Sequence, residues 1–195
     1  MHLFVDLETN GLPKSRYASY EDIDNWPRVV QVAWAVYGPD GKRKSIKNFI
    51  IYPEDFDISD ESASIHGIST EQARKEGIAL NRVLKEFNKG LENASTIISH
   101  NIDFDLPSLN AEFSRSNIQT NLLEKERFCT MKSEEIITFC NIPNPYNRGC
   151  KWPSLAQLHK SLFDTMFDDS HNAGADVEAC ARCYFELRKR GIIQK

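Results

Sequence analysis

Apolar positions come first in short runs and later at helical spacing. Residues 3–7 (LFVDL) form one run, and residues 29–37 (VVQVAWAVY) form a longer one that closes on Gly38-Pro39-Asp40-Gly41. Strand character resumes over residues 46–52, so the N-terminal portion predicts three antiparallel strands. Ser69 or Thr70 is placed to cap a helix beginning near Glu71, and residues 79–91 carry Leu80, Val83, Leu84, Phe87 and Leu91 on one stripe. Residues 96–99 (TIIS) read as a brief buried strand. A helix then runs from about Asp105 through Phe113, with Leu106, Leu109 and Phe113 on its apolar side. Further helices are predicted at 131–139, 154–162 and 173–190, the last presenting Val177, Cys180, Ala181, Tyr184 and Leu187. Residues 141–153, with three prolines and Gly149, read as a surface loop. Strands followed by alternating strands and helices predict an α/β fold, a mixed sheet covered by helices, in which ligands gather at the carboxyl ends of strands. The length, 195 residues, suits one domain over 1–195.

Composition adds exclusions. With 41% hydrophobic and 27% charged residues the chain is neither collagen-like nor disordered. Its apolar runs are strand-sized and Asp6 interrupts the first, so neither a signal peptide nor a membrane span is expected and a cytoplasmic location is. Five cysteines, an odd number, point to free thiols. Cys180 and Cys183 form a CxxC, but within a predicted helix and without a second pair, which favours core packing over zinc or redox chemistry. The formal charge of −4, from 24 basic and 28 acidic residues, lacks the footprint of a protein that grips nucleic acid by charge alone. A carboxylate cluster binding divalent cations would reconcile an acidic chain with a polyanionic ligand, because each ion inverts the local charge.

Three segments supply such carboxylates. In DLETNG, Asp6 and Glu8 lie two apart on a strand and share a face. Burying both costs free energy unless a cation or proton relieves their repulsion; two exposed acids at a strand's end fit the same residues. In HNIDFD, following the strand at 96–99, Asp103 and Asp105 compete, and either can cap the next helix. In HNAGAD, His171 precedes a helix whose first turn holds Asp176, favoured there by the helix dipole. The small residues Ala173, Gly174 and Ala175 let that turn approach the sheet, although an isolated histidine before a helix is commonly a capping or surface residue.

In this order the segments resemble the DEDDh family of 3′-to-5′ exonucleases, which includes the proofreading epsilon subunit of bacterial replicative polymerases, oligoribonuclease and ribonuclease T. The family's Asp-x-Glu-Thr stands as DLETNG, its His-Asn-x-x-Phe-Asp departs as HNIDFD, and its His with Asp five residues later stands as HNAGAD. The resemblance selects Asp105 over Asp103. It implies a ribonuclease H-like five-stranded sheet with an antiparallel start and then parallel strands, and a catalytic set of Asp6, Glu8, Asp105, His171 and Asp176. It also implies two Mg²⁺ or Mn²⁺ ions held by Asp6, Glu8, Asp105 and Asp176, hard cations that suit oxygen ligands. His171 is then the base that deprotonates the attacking water, so activity is expected to fall in mild acid. By the same resemblance Thr9, Gly11, Leu12, Ile65 and His66 flank the terminal nucleotide, the last two within IHGI, and Arg28-Val29-Val30-Gln31 matches the family's second strand. Aromatic and basic residues at 16–26 and around Tyr146, Arg148, Lys151 and Trp152 are candidates to hold bases or phosphates, with ordinary loop and core roles as the alternative.

The expected function is removal of nucleoside 5′-monophosphates from the 3′ end of single-stranded DNA, of proofreading or repair type. The alternatives are an RNA-directed exonuclease and an inactive nucleic-acid-binding module. A phosphatase using Asp6 as nucleophile would resemble the haloacid dehalogenase family, which expects Asp where Glu8 stands and leaves His171 without a role. No Gly-x-Ser-x-Gly or phosphate-cradling glycine loop supports a serine hydrolase or kinase. Few residues follow the last helix, so the polymerase-binding tail of some proofreading relatives is not expected; a polymerase partner stays open.

Overall fold

A computed structural model describes residues 1–146, 148–165, 167 and 172–194. Strands β1 (His2–Thr9), β2 (Val29–Tyr37) and β3 (Arg43–Ile50) form the antiparallel start. Helices α1 (Asp60–His66), α2 (Thr70–Glu76) and α3 (Leu80–Glu92) follow, then β4 (Thr96–Ser99), α4 (Ile102–Arg115), β5 (Glu126–Cys129), α5 (Glu134–Cys140), α6 (Leu155–Phe163) and α7 (Ala173–Lys189). The sheet order is β3-β2-β1-β4-β5; β1 is antiparallel to β2 and parallel to β4, and β4 is parallel to β5.

Alternation along β1 sorts the two faces. Leu3, Val5 and Leu7 pack with Trp34 against Val83, Leu84 and Phe87 of α3 and Leu106, Leu109 and Phe113 of α4. Phe4 faces the other way, with Ala33, Ala35 and Ile98, onto Leu158 and Leu162 of α6 and Val177, Cys180, Tyr184 and Leu187 of α7. Side chains two apart share a face, so Asp6 and Glu8 project towards α7. Among the described residues no helix is long and apolar enough to cross a membrane.

Several boundaries differ from the sequence reading. Helix α4 starts at Ile102, not near Asp105: Ile102 is buried and adds a turn to the stripe of Leu106, Leu109 and Phe113. Neither aspartate caps it; the cap position is Asn101, in the left-handed region at φ 90° with no side-chain cap bond, and both aspartates lie in the first turn. Strand β3 runs over Arg43–Ile50 rather than 46–52, because the Gly38–Gly41 turn sets Tyr37 opposite Arg43, while Ile51 leaves the ladder to bridge Ile78. Its first three residues are exposed, as suits an edge strand. Helix α5 begins at Glu134 instead of 131, since β5 and the bond from Thr130 N–H to Ser99 O (3.1 Å) keep the preceding chain extended.

Candidate active site

Strand β4 pairs with β1 only as far as Phe4 opposite Ile98. Asp6 and Glu8 therefore stand beyond the carboxyl end of β4, in the gap that ligands occupy in such sheets. Two helix starts enter this gap. From α4 comes Asp105, whose carboxylate accepts a hydrogen bond from the buried Ser99 hydroxyl at the end of β4. From α7 comes Asp176. Asp6, Glu8 and Asp176 each present a carboxylate oxygen, and these oxygens lie within 4.8 Å of one another.

The start of α7 is capped from within, bonded to β2 and packed closely against β3. The Asn172 side chain accepts from Gly174 N–H (3.1 Å). Gln31, opposite Glu8 on β2, accepts from Ala173 N–H through Oε1 (3.2 Å). A Cβ on Gly174 would sit 2.7 Å from Asn48 Nδ2 on β3, so the close approach anticipated from the small residues is real and glycine is required for it.

Charge crowding follows from this convergence. Burial, reinforced by Asp105, Asp176 and Glu8, holds the Asp6 carboxyl well above its ordinary range. Burial together with Asp176 and Asp105 pushes Glu8 up to about 8. Asp105 rises to about 7, chiefly by burial and against the Ser99 hydroxyl and the Leu7 backbone amide, which favour its ionised form. Clustered carboxylates withheld from water and offering only oxygen fit a hard divalent cation such as Mg²⁺ or Mn²⁺, which would restore the ionised state. The five cysteines are free, and Cys180 and Cys183 are buried in the α7 core.

A second wall flanks the carboxylates. Thr9 is buried and its hydroxyl donates to Gly11 O (2.8 Å), where the chain turns at φ 120°. Leu12 is 83% exposed and Ile65, on α1, is 56% exposed, so both apolar side chains stand in solvent. His66 is partly buried, its Nδ1 accepting from Ile68 N–H (3.1 Å), and burial lowers its pKa. Asn10 joins the two segments: Nδ2 donates to Asp57 O (2.8 Å) and Oδ1 accepts from Ser59 N–H (2.8 Å) at the cap of α1. Sequence reading missed Asn10 and Ser99. Only the place of Asn10 within DLETNG and of Ser99 just before HNIDFD pointed to them; the partners of Asn10 are distant in sequence, and Ser99 reaches Asp105 only through the turn from β4 into α4. His171 lies outside the described residues.

Residues 3–184 match the family described as Exonuclease (RNase_T). Among curated protein sequences no match is found. Solved structures of Escherichia coli exonuclease I share the fold. The complex with a dA16 oligonucleotide superposes with a TM-score of 0.76 at 18% identity, covering 97% of this chain and 41% of that one. The complex with a dT13 oligonucleotide gives 0.76 at 19% identity, covering 97% and 41%. The zinc-bound form of the exonuclease I complex with single-stranded DNA gives 0.74 at 20% identity, covering 97% and 40%. The chain thus spans about two fifths of the length of these structures. The family match runs over nearly the whole chain, and its acidic motifs meet at one end of the sheet: the chain belongs to the exonuclease family, of the DEDDh type within the ribonuclease H-like superfamily.

Proposed function

We propose that the protein is a metal-dependent 3′-to-5′ exonuclease releasing nucleoside 5′-monophosphates from single-stranded DNA. The observation that carries this reading is the gathering of Asp6, Glu8 and Asp176 around one point, with Asp105 close enough to raise the pKa of both β1 acids. In this reading Asp6, Glu8 and Asp176 hold one Mg²⁺ or Mn²⁺ and Asp105 with Asp6 holds a second. Divalent ions there supply positive charge for the scissile phosphate and make water acidic enough to attack near neutral pH.

The chain's own groups orient and exchange protons. Ser99 fixes the rotamer of Asp105, and the N-terminal turn of α7 presents Asp176 where its dipole favours an anion. His171, five residues before Asp176, accepts the proton of the attacking water. Thr9, Gly11 and Leu12 on one side, with Ile65 and His66 on the other, flank the terminal nucleotide. Single-stranded DNA is favoured over RNA because the similar exonuclease I structures are complexes with dA16 and dT13 oligonucleotides. The reading includes a cytoplasmic location; no polymerase partner is assigned.

The test is digestion of matched 5′-labelled DNA and RNA strands with Mg²⁺, Mn²⁺ or chelator. The expected result is a metal-dependent ladder on DNA shortening from the 3′ end, abolished in Asp6→Asn. Shortening that persists in chelator or in Asp6→Asn overturns the metal mechanism, and a ladder on RNA alone overturns the substrate.

A further inference from the structure

Beyond the carboxylates, one surface feature at the same end of the sheet has no role in the chemistry above. Trp26 and Trp34 are buried at 3% and 1% exposure, whereas Trp152 is 51% exposed. An indole left half in water forgoes burial that the other two obtain. Its loop is nonetheless pinned. The Pro153 carbonyl accepts from His100 Nε2 (3.0 Å), and His100 Nδ1 meets the Thr130 hydroxyl (2.9 Å), so the loop is tied to the ends of β4 and β5. Lys151 N–H donates to Ile142 O (2.9 Å), and Ser154 caps α6 with a reciprocal bond pair to Gln157. The backbone that carries the ring is therefore held in place on both sides of it.

One cation lies against the ring. Lys132 Nζ lies 5.0 Å from the Trp152 ring centroid and 2.6 Å from Asp103 Oδ2. Asp103 lies in the first turn of α4, and the loop is tied through His100 to the carboxyl ends of β4 and β5, so the platform stands at the same end of the sheet as the carboxylates. Nearby, Arg127 stacks over the Tyr20 ring at 5.4 Å.

We infer that Trp152, backed by Lys132, is a stacking platform for bases of the single-stranded DNA lying upstream of its 3′-terminal nucleotide. The inference rests on the exonuclease reading for the direction of the strand. It extends the site from the terminal nucleotide to the strand behind it. Stacking on an aromatic face accepts any base, which suits an enzyme that shortens strands without regard to sequence, while Lys132 neutralises Asp103 so that a phosphate can pass.

Trp26 and Trp34 also emit, so the signal of Trp152 is read as the difference in emission between the wild-type chain and Trp152→Tyr. Oligothymidylate is titrated into the full chain with calcium replacing magnesium to slow hydrolysis, and emission is expected to fall as the strand binds. In steady-state hydrolysis with magnesium, Trp152→Ala is expected to raise KM for oligothymidylate about tenfold, the size of one lost base stack, while kcat changes far less. A dinucleotide, which offers only one base upstream of its terminal nucleotide, loses less. Trp152→Tyr restores most of the affinity, which a role confined to loop packing by the indole would not predict. The platform is overturned if oligothymidylate leaves emission unchanged, if Trp152→Ala leaves KM unchanged, or if dinucleotide and long strand suffer equally. Quenching by a strand that the wild-type protein never shortens overturns the exonuclease reading while supporting the platform. Shortening without quenching overturns the platform alone.

Discussion

Asp6, Glu8 and Asp105 are carboxyl groups whose protonated form the fold favours, and the sign of the pH effect follows. Between the ordinary carboxyl range and the raised values, the native state binds more protons than the unfolded chain, so stability without metal falls as pH rises. For Glu8 that window runs from 4.5 to about 8. Divalent metal reverses the trend by binding the ionised native form. Thermal scans should show Mg²⁺ raising the unfolding midpoint more at pH 8 than at pH 5; an equal shift at both would remove these carboxylates from the metal site. Glu112 is the contrasting buried acid. It is fully buried, accepts from Arg28 Nε (3.0 Å) and Val29 N–H (2.9 Å), and lies 3.3 Å from Arg115 Nη1. Because Arg28 is partly exposed, some of the pair is screened, yet Glu112→Ala leaves two guanidiniums and an amide short of a partner. A loss on the order of 3 kcal/mol is expected, read from urea unfolding.

One short helix and the start of a long one owe their position to contacts rather than to propensity. Helix α1 has seven residues, well under the roughly 12 to 15 at which isolated helices become marginal in water. It is held by its Ser59 cap, by the Asn10 amide and by a small cluster in which Val30, Ile58, Ile68 and Ala73 are buried. Asn10→Ala should therefore speed amide hydrogen exchange across residues 60–66 while β1 and β2 keep their protection, as exchange mass spectrometry would show. At the start of α7 the constraint is steric. Gly174→Ala places a methyl 2.7 Å from Asn48 Nδ2 and 3.2 Å from Asn172 Oδ1, and overpacking of this kind costs about 1 to 3 kcal/mol. Adding Asn48→Ala should recover part of the lost thermal midpoint. If it recovers none, the clash is not what displaces the helix.

For the molecule as a whole, an acidic chain that binds a polyanion depends on where its charges lie. The net charge of −4 opposes approach of a strand, and the carboxylate cluster opposes it most where the reaction would occur. Divalent cations invert that local field. Chelation should then weaken single-stranded DNA binding by about tenfold or more, since a charge-assisted contact to phosphate is worth on the order of 1.5 to 3 kcal/mol. Fluorescence anisotropy with and without chelator would check this. Affinity indifferent to chelator would mean that the strand is held away from the carboxylates.

The sheet's central strands and the amphipathic helices were legible in the linear chain because their signals are local. Strands β2 and β4 came out at their observed bounds, and the stripes of α3, α4 and α7 followed from periodicity. The two edge strands were blurred or missed: the exposed start of β3 and the four-residue β5 bury too little to leave a hydrophobic pattern. The carboxylates themselves were visible as motifs, but their number alone did not choose between a metal centre and solvated acids. That choice belonged to the tertiary structure. The end of β4 at Ser99 leaves Asp6 and Glu8 paired with β2 but without a strand on their other side, and two helix starts more than 60 residues apart in sequence bring Asp105 and Asp176 into the gap. Sequence spacing determines which residues share a face of one element. Desolvation and mutual repulsion arise only when separate elements pack together, and these forces turn four ordinary acids into a site that calls for a cation.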